Sequence, residues 1–353
     1  MKRKKSIAIA FFLSILFCIL YLLLAARPLG NEYQFSPQWK LETNAQTIMP
    51  ASNEQSKLYF RLGQTIGYFT DDGKLLSIIA FPFKAAISQH YYASFSANST
   101  SFDFFNADGT KAGTIHESGF PFFDDDRIFV FLPGGASFIQ CNPDGSRKWQ
   151  FTGAVPITAF NSSSGGCAVG FADGIVRTFS PDGNITQEFA PGGSDYPVIL
   201  GAAISSDGTM IATVSGQNSQ RFVLLKKDSA QSKIILHQFI AANNPRQRLV
   251  QFSKDDSTVW YNFDGGLGIV DTLSGKHSQL ALNGQAILLQ ESDDYVFVLT
   301  KEQATYTVYA IEKFSTIIGS FSFEARTAFI RTDGKNLFVG KDTTISRIVI
   351  SKN

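Results

Sequence analysis

Two hydrophobic patterns divide the chain. From Ser6 to Ala26, twenty-one residues run without a charge (SIAIAFFLSILFCILYLLLAA), directly after the basic block Lys2-Arg3-Lys4-Lys5. Beyond Arg27 no stretch approaches that length. Apolar and polar residues instead alternate with period two, which predicts half-buried strands and not helices. Acidic turns punctuate the alternating runs in two series. Asp72-Gly73, Asp108-Gly109, Asp144-Gly145 and Asp182-Gly183 are spaced by 36, 36 and 38 residues, each between runs such as TIGYFT and KLLSIIAF. Asp207-Gly208, Asp255-Asp256, Asp293-Asp294 and Asp333-Gly334 are spaced by 48, 38 and 40. Asp-Gly between alternating runs signals a β-hairpin, expected here as a turn whose two central residues both take positive φ.

Each unit therefore holds two hairpins, one between strands one and two and one between strands three and four. Four strands in about 40 residues is the unit of a β-propeller blade. Eight units fit the chain: 44–83, 84–118, 119–153, 154–193, 194–241, 242–282, 283–323 and 324–353. The first is expected to have strands at 47–50, 57–61, 66–70 and 75–81. The last has only three (TAFIRT, KNLFVG, ISRIVIS). Trp149 lies four residues after Gly145 in a fourth strand, and Phe35, four before Trp39, lies 38 residues before Gly73. Segment 36–43 is thus in phase to supply the missing fourth strand, closing the ring and removing an open edge. The plainer alternative is an ordinary edge strand at Trp39. The expected fold is an all-β, eight-bladed β-propeller preceded by one transmembrane helix; seven blades follow if two weaker units merge.

At about 1.5 Å per residue, the run 6–26 spans roughly 31 Å, the thickness of a bilayer core. The basic block should stay in the cytoplasm, delivering the rest to the far side. The expected organisation is a basic cytoplasmic segment (1–5), a signal anchor (6–26), a linker (27–35) and the propeller (36–353). The propeller then sits at the outer face of the cytoplasmic membrane. A linker of about ten residues reaches at most about 35 Å, which keeps it close to the bilayer. Cleavage and secretion is the alternative, although Leu23 and Leu24 fit a cleavage site poorly. Lipidation would use Cys18, but Phe17 precedes it where a small residue is expected.

Composition narrows the function classes. With 44% hydrophobic residues and 31 basic against 30 acidic side chains, the 353-residue chain is neither disordered nor a general nucleic-acid binder. Three cysteines cannot staple a fold of this size. Abundant phenylalanine (33) and glycine (29) suit short buried strands joined by tight turns.

The strings ISSDGTMIATVS and IRTDGKNLFVG resemble the first hairpin of WD40-like blades, and CNPDGSRKWQFTG resembles the second hairpin of quinoprotein-like (PQQ-type) blades. The resemblance covers roughly residues 36–353 and implies a propeller fold, not an activity. The Trp-Asp dipeptide of true WD40 repeats is absent, and most blades lack a tryptophan at the place of Trp149. Among eight-bladed members, the outer-membrane assembly scaffold of Gram-negative bacteria is a non-enzymatic example on the exported side.

Catalytic chemistry finds little support. His90, His116, His237 and His277 share no spacing that brings imidazoles together, so surface histidines are expected and no metal. Cys141 and Cys167 fall in neighbouring blades, which points to buried free thiols. The acids Asp71-Asp72, Asp124-Asp125-Asp126, Asp255-Asp256 and Asp293-Asp294 read as hairpin tips of different blades pointing away from one another, and not as a calcium site. Ser205–Thr209 is a poor match to the Asp-box of sialidase propellers. Quinoprotein dehydrogenases add a calcium-ligand cluster, a vicinal cysteine pair and a tryptophan platform, none of which can be assembled here. No cofactor is expected.

Recognition is expected on the loops joining strand two to three and strand four to the next strand one. Phe120, Phe122, Tyr196, Arg221, Arg246, Arg248 and Arg326 lie on these loops and belong to the types enriched at interface hot spots. For Phe120, Phe122 and Tyr196 the competing reading is a plug between blades. The sequence thus predicts a non-enzymatic protein-binding or scaffold propeller, partnered by the membrane through its N-terminal helix and by other envelope proteins. A periplasmic enzyme or small-ligand binder of quinoprotein-like type is the alternative.

Overall fold

A computed structural model describes residues 11–21, 33–44, 56–228, 231–240, 244–312, 314 and 316–352. Residues 37–349 form one compact unit, and the described parts of 1–36 and 350–353 group separately. The smaller unit contains the helix Phe11–Tyr21. Among the described residues no helix is long and apolar enough to cross a membrane. The expected anchor, 6–26, extends past the described helix at both ends.

The larger unit is a β-propeller of eight antiparallel sheets. Blade 1 shows strands Lys57–Leu62, Thr65–Thr70 and Leu75–Ala80; the strand expected at 47–50 lies outside the described residues. Blades 2 to 7 each run in chain order from a first strand to a rim strand. Blade 2 runs from Lys84–Ile87 to Lys111–Ile115, blade 3 from Phe120–Asp124 to Arg147–Phe151, and blade 4 from Ile157–Ser163 to Ile185–Phe189. Blade 5 runs from Ile199–Ile204 to Gln231–Phe239, blade 6 from Val250–Phe252 to His277–Ala281, and blade 7 from Gln285–Glu291 to Thr316–Glu324. Most successive blades meet through their first strands, blade 6 meets the first strand of blade 7 through its second and third strands, and Ala328–Asp333 of blade 8 returns to contact Lys57–Leu62 of blade 1.

Blade 8 has the order Tyr33–Glu42, Thr344–Lys352, Asn336–Lys341, Ala328–Asp333, so the N-terminal strand seals its rim. The junction is tight. The Thr43 N–H and hydroxyl both donate to the Thr343 carbonyl (2.7 and 2.9 Å). Trp39 packs on Phe338 of its own blade (5.8 Å) and Phe69 of blade 1 (6.4 Å), and its indole N–H donates to the Asp71 carbonyl (3.2 Å). Trp149 repeats the arrangement between blades 3 and 4, lying 5.7 Å from Phe179 and donating to the Pro181 carbonyl (3.1 Å).

The two series of acidic turns fall where the repeat predicts, but their geometry differs from expectation. In the first series only the glycine is left-handed (Gly73 φ 88°, Gly145 φ 89°), and no aspartate of the four pairs has positive φ. The Gly73 N–H donates to the Thr70 carbonyl (3.0 Å) and the Thr70 N–H to the Lys74 carbonyl (2.9 Å). This is a type I turn closed by a glycine bulge, which fits strand twist as well as a two-residue turn does. In the second series Asp256 occupies the left-handed position itself (φ 58°), as Asp tolerates better than most residues.

Several glycines inside strands are required by the rings opposite them. Phe60, Tyr261 and Phe329 sit directly across the ladder from Gly67, Gly268 and Gly340. Each ring covers its glycine so closely that a Cβ would come within 2.8, 2.1 and 2.0 Å of ring carbons. Between blades, rings interlock into apolar clusters, as where Phe129, Phe138 and Phe179 pack with Val169. A fully buried side chain of this size contributes roughly 2–3 kcal/mol.

Candidate binding face

The loops joining strand two to three and strand four to the next strand one emerge at one end of the propeller, and all seven candidate residues lie on elements at or near that end. Their surroundings differ. Phe120, the first residue of blade 3, is 44% exposed with its ring edge-on to Phe95 (5.7 Å). Tyr196 is 58% exposed, held by a loop whose Tyr196 carbonyl accepts from the Val198 and Gln217 N–H groups (3.0 and 3.2 Å). The Arg221 guanidinium donates to the Pro191 carbonyl (2.9 Å) and lies 5.9 Å from the Phe239 ring. Arg246 is exposed and donates to Gln285 Oε1 (2.5 Å). Arg326 is exposed too, its N–H held by the Asp342 carboxylate (2.8 Å).

Phe122 and Arg248 are corrections to the expected patch. Phe122 is half-buried and packs on Phe131 and Phe160 (6.3 and 5.7 Å), the inter-blade plug of the competing reading. The Arg248 side chain is 1% exposed. Its guanidinium donates to Gln220 Oε1 (2.9 Å), Asp264 Oδ1 (2.7 Å) and the Asn244 carbonyl (3.0 Å), tying three loops together. A buried cation needs such partners, so Arg248 shapes the face from beneath.

Two residues not foreseen join it. Phe83 (69% exposed) follows Pro82 in the loop from blade 1 to blade 2, and Phe239 (57% exposed) ends the rim strand of blade 5. Phe81-Pro82-Phe83 offered a signal. Period-two alternation puts both rings on one face, but the strand stops at Ala80, so Phe81 turns inward and Phe83 outward. Among the described propeller residues, every exposed aromatic (Phe83, Phe120, Tyr196, Phe239) lies at this end, whereas the opposite end presents the aliphatic tip Leu273.

The opposite end is polar. A cavity of about 710 Å³ opens there among blades 1 to 7, lined by Asp124, Asp125 and Asp256 with Arg127 and Lys254. These acids share one cavity, in contrast to the expectation that hairpin-tip acids point apart, because the first hairpins of blades 3 and 6 both reach it. Arg127 is held by Asp124 (3.2 Å) and donates to the Ser162 hydroxyl (3.0 Å). Among the described residues no group of three or more His, Cys, Asp or Glu side chains could hold a metal ion. Most turn aspartates accept hydrogen bonds locally. Hydroxyl donation from Thr110 to Asp108 and from Ser146 to Asp144 (both 2.6 Å) holds these carboxyls below the usual range.

Cys141 and Cys167 are free and buried, as expected. Burial pushes the Cys141 thiol up to about 12 and the Cys167 thiol up as well, which makes both poor nucleophiles. His90 pairs with Asp125 at 3.0 Å on the exposed turns, and His116 lies 3.4 Å from the Ser101 hydroxyl.

A family model described as "beta-propeller protein" matches residues 1–353. A protein of Treponema pallidum (strain Nichols), described as uncharacterized, is 30% identical over 361 residues, covering 99% of this chain and 95% of the relative. Among solved structures, BamB from Moraxella catarrhalis superposes with a TM-score of 0.62 at 10% identity, over 90% of this chain and 100% of BamB. That likeness is one of fold.

Proposed function

The chain belongs to the beta-propeller protein family, and from that premise we propose that it is a non-enzymatic protein-binding or scaffold propeller of the cell envelope, held by its N-terminal segment at the outer face of the cytoplasmic membrane. One observation carries the protein-binding reading: the exposed aromatics Phe83, Phe120, Tyr196 and Phe239 gather at one end. Aromatics and arginines dominate interface hot spots, and apolar surface left in water marks contact sites. Arg221, Arg246 and Arg326 supply the polar part of this surface.

Support for the membrane location comes from the uncharged run after the basic block and from the apolar surface of the helix Phe11–Tyr21. Phe11, Phe12 and Phe17 there are 68, 73 and 71% exposed. A photo-crosslinking residue placed in cells at position 83, 196 or 239 is expected to capture a protein partner, and one at 273 is not. Equal capture at all four positions, or none, contradicts the binding face. The anchor is checked separately by alkaline carbonate extraction, which should leave the chain in the membrane pellet.

A second reading, a small-ligand binder, is favoured by the polar axial cavity of about 710 Å³. Native mass spectrometry of the purified chain decides it: a bound small molecule lost in Asp256→Asn supports the cavity, and an unliganded mass removes that support.

A further inference from the structure

The rim of each blade is its fourth strand, and most rims are short. Leu75–Ala80, Lys111–Ile115, Arg147–Phe151, Ile185–Phe189 and His277–Ala281 have five or six residues each. Tyr33–Glu42 has ten but carries Pro37 and Lys40, and Gln231–Phe239 has nine but carries Lys233. Proline and lysine are the residues that blunt a sheet edge against further pairing. The rim of blade 7, Thr316–Glu324 (TIIGSFSFE), is also nine residues long and has neither. Among the described residues no strand pairs with its outer side. A bulge at Ile318 interrupts the register, so the regular edge, Gly319–Glu324, presents about 20 Å of backbone donors and acceptors. Gly319, near its middle, opposes Ala310 and leaves the backbone open to close approach.

A groove runs beside this edge. Phe321 and Phe323, two residues apart and so on one face of the strand, form one wall of a space of about 550 Å³. Val339 and Ile348 of blade 8 line the other wall, with Lys40 and Lys341. The Lys341 ammonium lies 5.8 Å from the Phe323 ring. Asp342, the acidic residue in the lining, is turned to the backbone N–H groups of Arg326 and Thr327 (2.8 and 3.1 Å). Lys40 is paired with Glu42 (2.8 Å), so the groove offers apolar walls and one cation, Lys341, at its margin.

We propose that Thr316–Glu324 is a strand-addition site, at which an extended segment of a partner protein pairs as a fifth strand of blade 7, placing alternate apolar side chains in the groove and a carboxylate at Lys341. The edge calls for a backbone in β conformation, because only a strand satisfies a row of backbone groups along its length. The groove takes side chains spaced by two, the period of a strand. The Lys341 ammonium selects an acidic residue. A second copy of this chain fits less well: antiparallel pairing of two such edges about Ser320 puts Glu324 of one opposite Thr316 of the other, away from Lys341. The site lies on the rim, distinct from the aromatic end, and stands independently of it.

The probe is a fluorescein-labelled peptide of alternating valine and threonine with an aspartate at each end, titrated by anisotropy against the detergent-solubilised full chain. Saturable binding is expected. N-methylating alternate peptide residues on the pairing side should weaken it about tenfold or more, since that removes the donors of the added strand. Lys341→Glu should weaken it about tenfold, and a peptide with lysines in place of the aspartates should recover the loss. Both comparisons are unaffected by any folding defect in an edge variant such as Ser320→Pro. Absence of saturable binding, indifference to N-methylation, or indifference to Lys341→Glu overturns the proposal. A concentration-dependent dimer of the chain abolished by Ser320→Pro overturns it in favour of a second copy.

Discussion

The turns illustrate how much single side chains decide. Asp255 accepts from the hydroxyls of Ser253 and Ser257 (both 2.7 Å) and from the Ser257 N–H (3.1 Å). These bonds, the Ser253 hydroxyl first, lower its carboxyl from 3.8 to about 2. A carboxyl depressed in the folded state stabilises the fold above its unfolded value and loses that contribution as pH falls through the folded value. The hairpin is therefore expected to weaken between about pH 4 and about pH 2. Because Asp255 is exposed, solvent screening limits the effect to about 1 kcal/mol or less. Urea unfolding of wild type and Asp255→Asn measures it: the difference should be present at pH 7 and shrink by pH 2.5, and a constant difference would contradict the assignment. This part was legible in the sequence because an aspartate two residues after a serine or threonine bonds it locally. The type I geometry was not, since Asp-Gly serves either turn and the strand register selects between them.

At the scale of the element, the outer-strand tryptophans hold blades together. Trp39 and Trp149 each span a junction and donate an indole N–H to a backbone carbonyl of the next blade's turn (3.2 and 3.1 Å). Gly73 and Gly183 face them so closely that a Cβ would meet the indoles at 2.9 and 2.6 Å. Replacing Trp39 with Ala removes a half-buried ring and is expected to cost about 2–4 kcal/mol, whereas Trp39→Phe keeps part of the packing and costs less. Equilibrium denaturation of the two variants tests the order, and equal losses would show that packing is not the main contribution. The phase of Phe35 and Trp39 relative to Gly73 pointed to the strand that carries this contact. The clash that requires a glycine there became visible only with both blades in place.

For the whole molecule, closure by the N-terminal strand is the central structural fact. Removing residues 1–43 strips the rim strand from blade 8 and bares the edge of Thr344–Lys352, while removing 1–32 leaves the rim strand in place. The longer deletion is expected to lose several kcal/mol and to associate through the bared edge, with the shorter one melting like the intact propeller. Calorimetry and sedimentation of the pair provide the check; identical behaviour would mean that the seal is dispensable.

The strands of the described blades, both turn series, an eight-blade ring with seven as its alternative, and the strand that closes it are readable along the chain. Each of these rests on short-range regularities: side chains alternating every second residue, an acid and a glycine at a turn, and a constant distance from one turn to the next. Tertiary structure alone decided which side chains face water at the binding end and which acids meet. Phe122 is half-buried by Phe131 and Phe160, and Arg248 is enclosed by Gln220 and Asp264, partners supplied by other strands and loops. Phe83 and Phe239 stay exposed because no such neighbour covers them. Burial in a propeller is set between blades, and that depends on residues the local pattern cannot bring together.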